Sequence, residues 1–323
     1  MLTAMRRHFP AARFGWVVER QFGPVLEGLR ALELIVMRLR VWRLQPFRRE
    51  TLREAMAFLA ALRRFSPDLV LDLMGSHRSG LIANLSGARL RIGPAGPDRW
   101  QPRSAFWINR PIPLRGVHSV DRTLSLLDAL GLPPEPADFA ADELFPAASP
   151  APGDYLLIHP GAAWGDKIYP PPRWAEVARL LNVRTGLPIR IAIAPGEEHL
   201  AGAIEAAAGG AARAVPAPDL STLASLLRGA RLVLGSDTGP LHLAHGMGVP
   251  VLVLHGPTDP ARHGPYGAPD RFLVKRQPCS FCYERFPETR ACLLELPPAQ
   301  VADRAVELLA AGRPVEAAAS RPA

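Results

Sequence analysis

Lysine is almost absent from this chain. Of its 38 basic residues 36 are arginine, and only Lys167 and Lys275 remain. Such economy makes the two compact ammonium groups conspicuous, because a point charge rather than a planar fork suits a single phosphate contact. Cysteine is scarce as well: Cys279, Cys282 and Cys292 are the whole complement. That excludes a disulfide framework and favours a reducing compartment. No apolar run approaches the ~18–20 residues of a membrane-crossing helix. The opening MLTAMRRHFPAARFGWVVE lacks the ordered basic, apolar and small-residue segments of a secretion signal. Neither GxGxxG nor GxxxxGK[ST] occurs, so nicotinamide and P-loop chemistries lose their usual sequence support.

What is present suits a large α/β protein. The 323 residues are 48% apolar and 21% charged, enough for two domains of about 150 residues with real cores. The net charge of +8 is uneven. Residues 1–150 hold 21 Arg against 14 acids, or +7; the remainder holds 15 Arg, 2 Lys and 16 acids, or +1. A basic half suggests an anionic partner: a phosphorylated substrate, an acidic membrane surface or a nucleic acid. The plain alternative is a compositional bias toward arginine on a solvated face. A nucleic-acid role lacks a recognisable motif, and aromatic residues are few at 7%.

Apolar runs bounded by turn residues alternate with amphipathic spans, the pattern of a parallel sheet with crossover helices. Strands are expected at Phe14–Glu19, Glu33–Leu39 and Asp68–Leu73, with helices at Arg49–Phe65 and Ser79–Leu85. A proline-rich stretch, Gly131–Gly153, reads as a linker. The alternation resumes with strands at Tyr155–His159, Ile189–Ala194, Arg231–Gly235 and Val249–His255. Helices are expected at Trp174–Asn182, Glu198–Ala207, Leu220–Leu227, Pro240–Gly246 and Pro298–Ala311. The expected organisation is an N-terminal domain over 1–149, a C-terminal domain over 150–296, and a helix with a disordered tail over 297–323. In open parallel sheets ligands bind beyond the carboxyl ends of the strands, so the residues after each strand are the candidates.

The first candidate is Ser236-Asp237-Thr238-Gly239, a strand running into a helix that opens near Pro240. Free amides at that helix start would suit an anion, and Gly239 lets a ligand approach the backbone. An ordinary capped strand–turn–helix is the plain reading. Lys167 follows the strand ending at His159 and could neutralise a phosphate leaving group, or be a surface lysine. Arg78 follows Asp68–Leu73 in the basic half and could meet an anion. Glu198, past Ile189–Ala194, could accept hydrogen bonds from sugar hydroxyls or simply favour a helix dipole. His242 and His245 could share a helix face, but a metal needs further ligands. The three cysteines lack the fourth ligand of a closed zinc site.

Together these segments resemble glycosyltransferase family 9, the ADP-heptose:lipopolysaccharide heptosyltransferases. The most specific part is GSDTGPLHLAHGMGVPVLVLHGPTDPARHGPYG (Gly235–Gly267). HPGAAWGDKIYPPPRWAEV is similar to the family's lysine-bearing loop, with Tyr169 where a Trp is usual, and DLMGSHRSG resembles the acceptor-side segment. HSVDR (His118–Arg122) looks closest to the heptosyltransferase I branch. The resemblance implies a GT-B architecture: two Rossmann-like domains with parallel sheets facing a central cleft. It implies inverting, metal-independent transfer of heptose from an ADP-sugar to an anionic glycolipid. It needs no cofactor and would take place in the cytoplasm, with peripheral contact at the inner membrane face. Carried over by residue, Lys167, Asp237, Thr238, Gly239 and His242 match the donor site, and Lys167 stabilises the leaving group. Glu198, with Glu197 as the alternative, matches the acid that holds the adenosine, and Arg78 matches the acceptor side.

One departure stands beside these matches. Family members open with a strand and a Gly-Asp loop whose aspartate acts as general base. Here no acid precedes Glu19. The expectation is therefore that the first strand of the N-terminal domain is missing, its neighbour's edge is exposed, and translation begins upstream of Met1. The alternative expectation is an inactive nucleotide-sugar-binding protein.

Overall fold

A computed structural model of the chain describes residues 1–146 and 148–312; the tail expected to be disordered lies largely outside them. The chain divides into two compact units, Met1–Asp138 and Phe139–Ala323.

In the second unit six strands form one all-parallel sheet: Tyr155–His159 (β6), Ile189–Ile193 (β7), Ala212–Pro216 (β8), Ala230–Ser236 (β9), Val251–His255 (β10) and Phe272–Val274 (β11). Their spatial order is β11-β10-β9-β6-β7-β8. Strands β6 and β10 are buried at every position, which is why they read as unbroken apolar runs rather than as alternations. Successive side chains point to opposite faces. Leu156 and Ile158 join one core with Leu232, Leu234, Leu252 and Leu254. Tyr155 and Leu157 join the other with Val233, Val251 and Val253. Helices Pro171–Thr185 and Pro298–Ala310 cover the first face through Trp174, Leu181 and Val301. Helices Leu220–Gly229 and Gly239–Gly246 cover the second through Leu223, Leu227 and Leu241. Tyr169 is buried edge-on against Trp174 at 5.1 Å, and its hydroxyl donates to Leu296 O.

The first unit carries its strands in two parallel sheets. Phe14–Glu19 (β1) pairs with Leu32–Met37 (β2), while Leu69–Leu71 (β3), Leu90–Pro94 (β4) and Arg110–Ile112 (β5) form the other. The orders β2-β1 and β3-β4-β5 match the pattern of the second unit, with no strand among the described residues at the place that β6 holds there. A small core of Ala4, Met5 and Leu127 takes in Phe14 from β1 and Leu69 and Leu71 from β3. Leu39, expected in a strand, instead opens helix Leu39–Leu44, because the Glu19 carboxylate accepts from its amide at 3.0 Å. Helix Arg49–Phe65 packs on β2 and ends at Ser66, whose φ of 50° turns the chain out of the helix.

The proline-rich stretch is not a free linker along its whole length. From Phe139 onward it packs on the second unit: Phe139 stacks edge-on with His245 and Tyr266, Leu144 and Phe145 are buried, and Ala151 N donates to Ser225 O. Arg228 donates to the Leu144 carbonyl. Aromatic and leucine anchors spaced along the prolines therefore place the division at Asp138 and Phe139, ahead of the expected break at 149–150.

Candidate active site

The candidate residues of the second unit gather where β6, β7, β9 and β10 end. Connections run from β6 outward to β7, then back to β9 on the other side, so β6 and β9 flank the switch point of the sheet. Such a point opens a crevice for ligands at the carboxyl ends of the strands.

Asp237 follows β9 directly and is almost wholly buried. Its Oδ2 accepts from Lys167 Nζ at 2.7 Å and from Thr258 Oγ1 at 2.6 Å. Its Oδ1 lies 3.0 Å from His242 Nε2. Lys167 arrives from the loop after β6, in a short 3-10 turn, Gly165–Lys167. A second bond runs from Nζ to the Asp237 carbonyl at 3.1 Å. An ammonium has three donors, so one is left for a ligand. The Trp164 ring lies 4.5 Å from Nζ and 4.4 Å from the Arg285 guanidinium, giving both cations an aromatic face. Burial pushes the Asp237 carboxyl up. The His242 hydrogen bond and the Lys167 charge outweigh it and hold the group well below the usual carboxylate range.

Thr238 and Gly239 complete the turn. Thr238 is the N-cap of helix Gly239–Gly246, with extended backbone and no side chain capping the first turn. Pro240 has no amide hydrogen and the Leu241 and His242 amides donate to Thr238 O, which leaves the Gly239 amide open toward an anion. Behind the turn, His255 at the end of β10 is fully buried, and burial brings it down to about 4. A neutral ring there can donate from Nδ1 to Thr258 O, 3.3 Å away. It thereby helps fix the threonine that donates to Asp237.

Beside this cluster, Glu197 follows β7. It lies against Gly161, where a Cβ would come within 1.8 Å of its Oε1. Burial raises its carboxyl and lowers the neighbouring His159 to about 4. Their separation of 4.0 Å is too long for a hydrogen bond, and the pair is not a charged one. Glu198 points elsewhere: it is exposed and its Oε1 accepts from Gly196 N.

A strap over residues 275–290 ties the loops together. Phe286 O accepts from Asp166 N at 3.2 Å, and Thr289 Oγ1 donates to Ile168 O at 2.6 Å. Tyr283 N donates to Pro257 O at 3.1 Å. Cys279 and Cys282 lie exposed on this strap, while Cys292 is buried. Among the described residues no three His, Cys, Asp or Glu side chains are arranged to hold a metal ion. His242 and His245 turn to different partners, Asp237 and the Tyr266 carbonyl.

The model of the family described as glycosyltransferase family 9 (heptosyltransferase) matches residues 55–290. The chain belongs to glycosyltransferase family 9. It is 31% identical over 292 residues to lipopolysaccharide heptosyltransferase 1 of Pseudomonas aeruginosa, covering 88% of this chain and 81% of that one. It is 30% identical over 276 residues to the enzyme of the same name from Escherichia coli K12, covering 82% and 85%. The solved structure of E. coli heptosyltransferase WaaC with ADP superposes with a TM-score of 0.80 at 27% identity, covering 95% of this chain and 93% of that one. The family 9 fold is thus GT-B, built on two Rossmann-like parallel-sheet units.

Of the residues carried over by resemblance, the structure brings Lys167, Asp237, Thr238, Gly239 and His242 into one cluster. Glu197 stands beside it and Glu198 faces away. Arg78 lies exposed in the first turn of helix His77–Leu85, in the N-terminal unit of this family 9 protein. Below that turn Arg99 and Asp72 form a fully buried ion pair at 2.6 Å, and Asp72 accepts from the amides of Met74 and Gly75. Sequence reasoning missed Thr258, Trp164 and the strap. The signal for Thr258 was its place three residues past a buried strand.

Proposed function

We propose that this protein transfers a heptose from ADP-heptose to the anionic inner core of lipopolysaccharide, with inversion and without a metal. The observation that carries the reading is the Lys167 ammonium, fixed on Asp237 beside an uncapped helix start at the sheet's switch point. A diphosphate set there meets one spare ammonium donor and the open amide of Gly239.

In the transfer an acceptor hydroxyl attacks the anomeric carbon and gives up its proton to water, while the bond from that carbon to the diphosphate oxygen breaks. Negative charge grows on the departing ADP. Lys167 and the Gly239 amide are aimed at that charge and need not reorganise as it develops. Asp237 keeps the ammonium in place, and Thr258 and His242 keep Asp237 ionised and oriented. Glu197, rather than Glu198, is the acid placed to meet the nucleoside, because it borders the cluster and its carboxyl is turned inward. Arg78 and the arginine-rich N-terminal unit receive the anionic acceptor, a glycolipid met at the inner membrane face from the cytoplasm. No helix among the described residues is long and apolar enough to cross a membrane; the contact proposed with that face is peripheral.

The test is to incubate the purified protein with ADP-heptose and a heptose-free inner-core glycolipid. The expected outcome is a glycolipid heavier by one heptose residue with equimolar ADP. ADP release that is no faster than without acceptor, and an unchanged glycolipid, would overturn the reading.

A further inference from the structure

One corner of the N-terminal unit gathers four strongly exposed apolar side chains within a short stretch of chain. Phe47 is 93% exposed, Leu44 75%, Met56 65% and Leu52 56%. All four fall within thirteen consecutive residues, Leu44 to Met56. They sit where helix Leu39–Leu44 meets helix Arg49–Phe65. Leu52 and Met56 are one helical turn apart and share a stripe, and Leu44 and Phe47 flank the connecting turn.

The corner is built. At its base Glu54 accepts from Arg38 Nη1 at 2.7 Å and from Trp42 Nε1 at 2.9 Å, and the Trp42 ring meets Phe58 edge-on at 5.7 Å. At its tip Arg48 N donates to Gln45 O at 3.3 Å, closing the turn that carries Phe47 outward. Phe47 is thus held in water by a fixed scaffold. The same stretch carries the exposed cations Arg40, Arg43, Arg48, Arg49 and Arg53, with Glu50 as the exposed acid among them. From Arg38 to Met56 there are six arginines and two glutamates, and one of the glutamates is engaged by Arg38.

We infer that this corner is a membrane-docking element that sets Leu44, Phe47, Leu52 and Met56 into the interface of an anionic lipid bilayer while the surrounding arginines contact its headgroups. Charge selects the occupant: an apolar tip ringed by cations fits a surface that is apolar inside and negative outside. An apolar protein groove would not need the ring, and a second copy of the same corner would bring like charges together. This inference deepens the reading of a glycolipid-modifying enzyme, yet its test does not depend on that reading, because the vesicles hold no glycolipid acceptor.

The experiment is co-sedimentation of the full chain with vesicles of phosphatidylcholine alone and of equal parts phosphatidylcholine and phosphatidylglycerol. The wild-type chain is expected to pellet with the anionic vesicles and stay in solution with the neutral ones. Phe47→Asp should weaken partitioning at least about tenfold with an unchanged melting temperature. Arg48→Gln with Arg49→Gln should weaken it further at rising salt. Val183→Asp removes another exposed apolar residue, 84% exposed in the second unit, and should change nothing. Equal binding to both vesicles, no binding to either, or a Phe47→Asp protein that pellets like wild type would each overturn the inference. So would a stable dimer that Phe47→Asp dissolves without any vesicle binding.

Discussion

Two histidines at the site are kept neutral by the fold, and this has a consequence for stability. Burial lowers both His159 and His255 from 6.5 to about 4. Between those values the unfolded chain binds a proton that the native chain refuses, so stability falls as pH falls through the window. Each histidine withdraws on the order of 3 kcal/mol over it. Burial raises Asp166 and Glu197, and these carboxyls oppose the trend, since the native state protonates them first. The urea midpoint should therefore drop between pH 6.5 and 4, and His255→Asn should flatten the drop. A variant with the same slope as wild type would contradict the assignment. Which histidines would behave this way was not legible in the sequence. His242 and His245 drew attention by their spacing, whereas His159 and His255 matter because they end fully buried strands.

At the scale of elements, the strap over residues 275–290 depends on the absence of a side chain at Gly165. A Cβ there would lie 1.9 Å from the Pro287 carbonyl, a backbone atom that cannot swing aside. Gly165→Ala should displace the strap, loosen the turn that carries Lys167, and weaken ADP binding about tenfold, with about 1–3 kcal/mol lost from stability. Gly202→Ala is the control: it faces open space on helix Glu198–Ala208 and should leave binding intact. Calorimetric titration with ADP reads both, and equal affinities in the two variants would refute the role of the strap. Nothing in the strap announces itself, because it has no periodicity and is ordered by backbone bonds to Asp166 and Pro257. Elements with strong patterns were plain: β1, β6 and helix Arg49–Phe65 fall where periodicity and apolar runs place them. The strands that escaped notice, β4, β5, β8 and β11, are short or interrupted by Pro, Gly and Arg. They are strands because a neighbouring strand offers them hydrogen bonds.

At the scale of the whole molecule, two units with separate cores should report separately on separate perturbations. The Arg99–Asp72 pair is fully buried in the N-terminal unit. Arg99→Ala would leave Asp72 charged and unpaired and should cost about 3–5 kcal/mol there. ADP should stabilise the other unit by about 2.7 kcal/mol at a hundred times its Kd. In scanning calorimetry Arg99→Ala is expected to lower one transition and ADP to raise the other. A single transition moved by both would refute independent units. The existence of two halves was legible from the proline-rich stretch and the restart of strand–helix alternation. Their boundary was not, since Phe139, Leu144 and Phe145 anchor the later prolines to the second unit.

The functional reading rests on the grip that Lys167 and the turn after β9 exert on the diphosphate of the donor. Calorimetric titration of ADP into the wild-type chain and into Lys167→Ala tests that grip most directly. Loss of a charged hydrogen-bond donor should weaken binding about tenfold to a hundredfold, with the melting transition of the N-terminal unit unmoved. A Lys167→Ala protein that binds ADP as tightly as wild type would contradict the account.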